Sequence, residues 1–174
     1  MSLKALVAYL VYKKEQIPGK KAFQKYMYFL DAKGVPTPLS FRIHHFGPYS
    51  AELDYQTDNF QIEGILDVQP NAHGNGFIIK AGKKAKEIFE AESQYIAEHE
   101  KKIHFVLDAL ENQPSRTLEL WSTIHFVANS MNKYYGGAEK GTVVKEVKNI
   151  KQDKFHETEI EEAYDQLLKL ELLP

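Results

Sequence analysis

Between Leu39 and Ser50 the rhythm of the chain changes. Leu39, Phe41, Ile43 and His45 alternate with Ser40, Arg42 and His44, the period-two pattern of a half-buried strand. Gly47 follows, a residue that takes positive φ without the steric cost a side chain would add. Pro48 has a fixed φ suited to the first position of a helix, and Ser50 is a residue type that caps one. The stretch Phe41–Ser50 is therefore expected to be a strand that stops at Gly47 and turns directly into a helix, with Gly47, Pro48 and Ser50 as a structural turn.

Both sides of this stretch read as helix. Leu3, Leu6, Val7, Leu10 and Val11 recur at helical spacing and predict an amphipathic first helix, ended by Ile17-Pro18-Gly19. A second helix over about 20–33 buries Phe23, Tyr26, Met27 and Leu30. Lys21, Gln24, Lys25 and Tyr28 share its other face. After a third helix reaching about Asn59, Ile65–Val68 and Gly76–Lys80 read as two short strands joined by turn residues.

Helix, helix, strand, helix, hairpin is the order of a winged-helix-like module. The expected fold class is α+β and mostly helical. A winged-helix-like domain over 1–92 is followed by a helical half over 93–174. The apolar thread thins between Glu92 and Glu100, which predicts a break or an exposed bridging segment in the long helical pattern. Beyond Gln113-Pro114-Ser115 a helix carries Leu118, Trp121, Ile124, His125, Ala128 and Met131, and Tyr134-Tyr135-Gly136-Gly137 is expected to be a loop. Segments 142–150 and 157–170 resemble a second helix-turn-helix pair.

The formal net charge of −2 excludes a chain that is basic throughout, but the average hides an asymmetry. Residues 1–48 hold eight Lys/Arg against two acids, while 157–171 hold six acids against one Lys, so a polyanion would have to meet the N-terminal part. Absence of Cys removes disulfides, thiol nucleophiles and Cys-ligated zinc. With no apolar run approaching membrane length, the expectation is a cytoplasmic protein with no membrane contact.

Candidate chemistry is sparse. His44 and His45 are adjacent on a strand and point to opposite faces, so they cannot share an ion. His99 and His104 lie five apart on a helix, a poor ligand spacing. His125 flanks an apolar stripe and reads as a structural residue. Glu157, Glu159, Glu161, Glu162 and Asp165 read as a solvated helix face whose charge suits the helix dipole. Gly74-Asn75-Gly76 lacks the lysine and hydroxyl of a phosphate loop. No catalytic residue, metal site or cofactor is assigned.

Two motifs carry a resemblance. Lys21-Ala-Phe-Gln-Lys-Tyr-Met-Tyr-Phe-Leu30 is similar to the Leu-Gln-Lys-Leu-Leu-Tyr helix of the SocA-like (Panacea) antitoxin domain, and His45-Phe-Gly-Pro-Tyr-Ser50 resembles that family's aromatic-Gly-Pro turn. The full His45–Ser50 form, with Trp121-Ser-Thr-Ile-His-Phe126, looks closer still to the uncharacterised bacterial YwgA-like proteins. The resemblance implies a prokaryotic regulator. SocA-like members act as proteolytic adaptors or as antidotes that bind a toxin.

The expected function is accordingly a non-enzymatic, antitoxin- or adaptor-like interaction protein. It would dock a protein partner: a toxin, a protease or a second copy of itself. Tyr28, Tyr49, Tyr134 and Tyr135 are the candidate partner contacts, because Tyr offers large contact area with little entropy to lose. The alternative is a nucleic-acid-binding regulator, with phosphate contacts from Lys20, Lys21, Gln24, Lys25 and Arg42, and from Lys80, Lys83 and Lys84 beside the wing. An enzyme of unknown chemistry ranks third.

Overall fold

The computed structural model describes residues 3–174. Helix α1 (Leu3–Lys14) leads through β1 (Gln16–Ile17) into α2 (Gly19–Ala32). A hairpin of β2 (Arg42–His44) and β3 (Gly47–Tyr49) precedes α3 (Ala51–Ile62). The strands β4 (Leu66–Pro70) and β5 (Phe77–Ala81) follow, then α4 (Ala85–Ala91) and α5 (Ser93–Ala109). The chain ends in α6 (Ser115–Tyr135), α7 (Lys140–Lys151), a short 3₁₀ turn and α8 (Glu157–Lys169). The fold is α+β and mostly helical, as expected. Among the described residues no helix is long and apolar enough to cross a membrane.

The sheet departs from the expected helix, helix, strand, helix, hairpin order: the strand that joins the wing lies between α1 and α2, and β2 and β3 form a separate two-stranded sheet. β4 and β5 form the antiparallel wing, with Val68 opposite Ile79. β1, which lies between α1 and α2 in sequence, pairs with β5 through Ile17 opposite Ile79, so the strand order is β1-β5-β4. Ile17 and Ile79 are fully buried, and this one cross-strand pair ties the α1–α2 connection to the wing.

Two helices differ from their expected amphipathic form. In α1 every side chain from Ala5 to Val11 is buried, and in α2 every one from Ala22 to Leu30. A helix covered on all sides needs partners on all sides. For α1 these are α4, α5, β1 and β5, and for α2 they are α3, α5, α6 and the strands β1, β3 and β5. The break expected after residue 92 is present: Glu92 leaves helical geometry (φ −115°, ψ 36°) between α4 and α5. The buried side chains on both sides of that break belong to one hydrophobic cluster.

The stretch 41–50 is a hairpin, which corrects the strand-to-helix turn. β2 and β3 are antiparallel, with Ile43 opposite Pro48 and His44 opposite Gly47. Pro48 is thus a strand residue and not the start of α3. It sits in a two-stranded ribbon, a place where its missing N–H interrupts no central ladder. The helix begins only at Ala51, where the Ser50 hydroxyl accepts the Leu53 N–H at 3.3 Å as its cap.

Gly47 has the expected positive φ, at +88°. Its surroundings add a second constraint, since a Cβ built there would lie 3.0 Å from Thr123 Oγ1, 3.2 Å from Ser122 Oγ and 3.3 Å from the Glu119 carbonyl oxygen. Gly136, which ends α6 in the left-handed region (φ +74°), has nothing within 4 Å of such a Cβ. Gly136→Ala should therefore cost only backbone strain, of order 1 kcal/mol. Gly47→Ala should cost more, about 2–4 kcal/mol, because α6 must also shift. Urea unfolding of the two variants checks this; equal losses would show that the close approach to α6 carries no energy.

Candidate functional site

The hairpin is held by side chains from three helices, all acting on its backbone. From α2, the Gln24 amide accepts the Ser50 N–H at 2.9 Å and donates to the Ser50 carbonyl at 2.9 Å. The next residue, Lys25, donates to the Pro48 carbonyl at 2.6 Å. From α7, Lys151 donates to the His45 carbonyl at 3.0 Å. From α6, Glu119, Ser122 and Thr123 form the surface on which Gly47 rests. Each bond adds about 1 kcal/mol net, but deleting one side chain strands a buried peptide group at a further 1–3 kcal/mol.

Burying these groups sets their ionisation. Lys25 is 3% exposed, and burial pulls its pKa down to about 8; Glu119 opposes that fall, while Lys151 and Lys21 add to it. Burial alone would raise the Glu119 carboxyl. Hydrogen bonds at 2.7 Å from both Lys151 and Lys154 outweigh it and hold the group below its ordinary value. The Glu119–Lys151 pair is almost wholly buried, so removing either partner leaves an uncompensated charge. His125, on the same helix, lies 2.7 Å by Nδ1 from the Tyr28 hydroxyl.

Several expected contact residues are therefore interior ones. Gln24, Lys25 and Tyr28 are 4%, 3% and 5% exposed, which corrects their placement on an open face of α2. Helical periodicity found that second face; what it could not supply is that α6 and the hairpin cover it. Gly47 and Pro48 lie in the strand β3, and Ser50 caps α3. Lys20 is engaged by Asp54 at 3.9 Å and Asp58 at 3.3 Å, and Lys21 stands over the Phe46 ring, 3.1 Å from its centre. Arg42, Lys83 and Lys84 are exposed, and Lys80 is half-buried on β5.

The tyrosines divide. Tyr49 is half-buried, whereas Tyr134 and Tyr135 are 70% and 84% exposed. The last two occupy the final turn of α6, which corrects the loop assignment. Tyr135 is one wall of a cleft of about 580 Å³ between β2, α6 and α7, whose apolar lining includes Ile43, Phe126, Met131 and Ile150. On the other side of the hairpin a smaller cavity of about 320 Å³ lies between α2, α3 and the β2–β3 strands. Ile43 faces the first and its neighbour His44 the second, the alternation of a strand.

Glu119, Lys151 and Lys154 had no sequence signal as a group, being brought together from 32 and 35 residues apart. Ser122 and His125 had one: both fall on the apolar stripe of Leu118 and Trp121, where a polar residue needs a buried partner. At the start of α8 the Glu159 carboxylate accepts the His156 backbone N–H at 2.8 Å as a helix cap.

No protein-family model matches this chain, and no curated protein is significantly similar to it.

The Tyr28–His125 pair generates a pH prediction. Burial lowers the His125 pKa from 6.5 to about 4, with Lys33 adding to the fall. A histidine depressed in the fold takes up its proton in the unfolded chain first, so stability is lost as pH falls from about 6.5 to about 4. The loss is of order 3 kcal/mol. His125→Asn should be less stable at neutral pH and should flatten that limb, measured by urea unfolding at pH 4.5 and 7. An unchanged slope would exclude His125 as its source.

Proposed function

We propose that this chain is a non-enzymatic interaction protein that docks a protein partner in the cleft between β2, α6 and α7. The observation that carries the reading is the cleft itself: Ile43, Phe126, Met131 and Ile150 remain partly exposed around it, and Tyr135 stands almost free at its edge. Apolar groups held in water beside an exposed aromatic are the composition of an interface centre. Met and Tyr suit such a role, Met because it adapts to a partner's shape and Tyr because it loses little entropy on burial. The antitoxin- or adaptor-like role implied by the motif resemblance agrees with this mode of action.

The nucleic-acid reading has weaker support. In a winged helix the helix before the wing enters the groove. Here that helix is α3, which carries Glu52, Asp54 and Asp58 and neither Lys nor Arg. Its charge repels phosphate.

A photo-cross-linking amino acid placed at Tyr135 should capture a defined protein in cells of the native host. The same group at Tyr55, 67% exposed on α3, is the control and should not capture it. Adding Met131→Lys should leave the melting temperature within a few degrees and reduce the Tyr135 cross-link about tenfold, equivalent to about 1.4 kcal/mol of contact energy. Identical products at both positions, indifferent to Met131→Lys, would overturn the proposal.

A further inference from the structure

The second cavity, on the far side of the hairpin from the cleft, has a different chemistry. Lys21 and Lys25 reach it from α2, His44 and Tyr49 from the hairpin, and Lys20 and Asp54 from its rim. Lys20 and Asp54 face each other, and Lys20 also holds Asp58, so those charges are largely answered. Lys21 and Lys25 are not. Among the described residues neither forms an ion pair with a carboxylate.

Lys25 is the sharper case. Its ammonium can donate three hydrogen bonds. It makes one, to the Pro48 carbonyl, although the residue is 3% exposed and borders the cavity. A buried cation with spare donors and no carboxylate in contact is costly, and the Glu119 charge that favours its charged form does not outweigh that burial. The first turn of α2 adds to the field: it carries Lys20 and Lys21, no acid and no side-chain cap, so its free N–H groups and dipole also favour an anion. The Phe46 and Tyr49 rings give the same space apolar walls.

We propose that this cavity binds a small oxyanion, the phosphate or carboxylate group of a compact ligand, held by Lys25 and Lys21. Lys25 contributes its unused donors, and Lys21, exposed and standing over the Phe46 ring, contributes a second positive charge. A volume of about 320 Å³ admits a small ligand and not a polymer backbone. Burial, with the neighbouring Lys151 and Lys21 charges, lowers the Lys25 pKa despite the Glu119 charge, and an anion beside it would favour its charged form. The site is independent of the docking cleft, which Lys21 and Lys25 do not line.

The test is an NMR titration of the full chain with inorganic phosphate and, separately, with benzoate, at constant ionic strength. Phosphate and benzoate distinguish the two sources of an oxyanion, and benzoate adds a ring for the apolar walls. Saturable shifts of the His44, Gly47 and Tyr49 amides with at least one of them are expected. The Lys25 ammonium should then titrate at higher pH than in the free protein.

Lys21→Met, at an exposed position, should weaken the binding about fivefold or more without unfolding the chain. Lys25→Met also removes the Pro48 bond, so its folding is checked by amide dispersion before its affinity is read. Shifts that never saturate with either anion, or that saturate equally in Lys21→Met, would overturn the proposal.

Discussion

Everything in this structure that bears on function hangs from the grip of Gln24 and Lys25 on three backbone groups of the hairpin end: the carbonyls of Pro48 and Ser50 and the Ser50 N–H. Peptide groups at the end of a two-stranded ribbon have no ladder to join. Buried without water, each would cost as much as a lost hydrogen bond. Two consecutive residues of α2 meet that demand and in doing so orient the hairpin against α6. The stretches 21–30 and 45–50 are thus the two halves of one lock.

The lock explains why a winged-helix frame here does not present a basic reading face. Gln24 and Lys25, which would line such a face, point inward to the hairpin, and Lys21 stands over the Phe46 ring. The helix before the wing is acidic and serves partly to neutralise Lys20. Charge that looks available in composition is spent on internal satisfaction: Lys151 and Lys154 on Glu119, Lys25 on a carbonyl. A buried charge must be paired or hydrogen-bonded, and that requirement draws basic residues off the surface.

The hairpin also separates two surfaces of unlike character. Alternate side chains of β2 point to opposite sides, Ile43 into an apolar cleft and His44 into a cationic cavity. The cleft is closed by the end of α6 and by α7, the cavity by α2 and α3. Gly47 allows this thin wall to lie flat on α6, since any Cβ there would press on Thr123 and Ser122.

Local pattern in the sequence determined a good deal: the α+β class, the helices and wing strands, the break near residue 92, the positive φ of Gly47 and the Ser50 cap. These depend on neighbours within a few residues, through periodicity, steric freedom and short-range hydrogen bonds. The inward turn of Gln24, Lys25 and Tyr28 was decided only by tertiary structure, because periodicity shows that a face exists and not what covers it. The same holds for Pro48, whose fixed φ suits a strand edge as well as a helix start until Ile43 is known to lie opposite. It holds most for the Glu119–Lys151–Lys154 cluster, the cleft and the cavity. Their members come from segments far apart in the chain, and only packing into one core sets the distances between them.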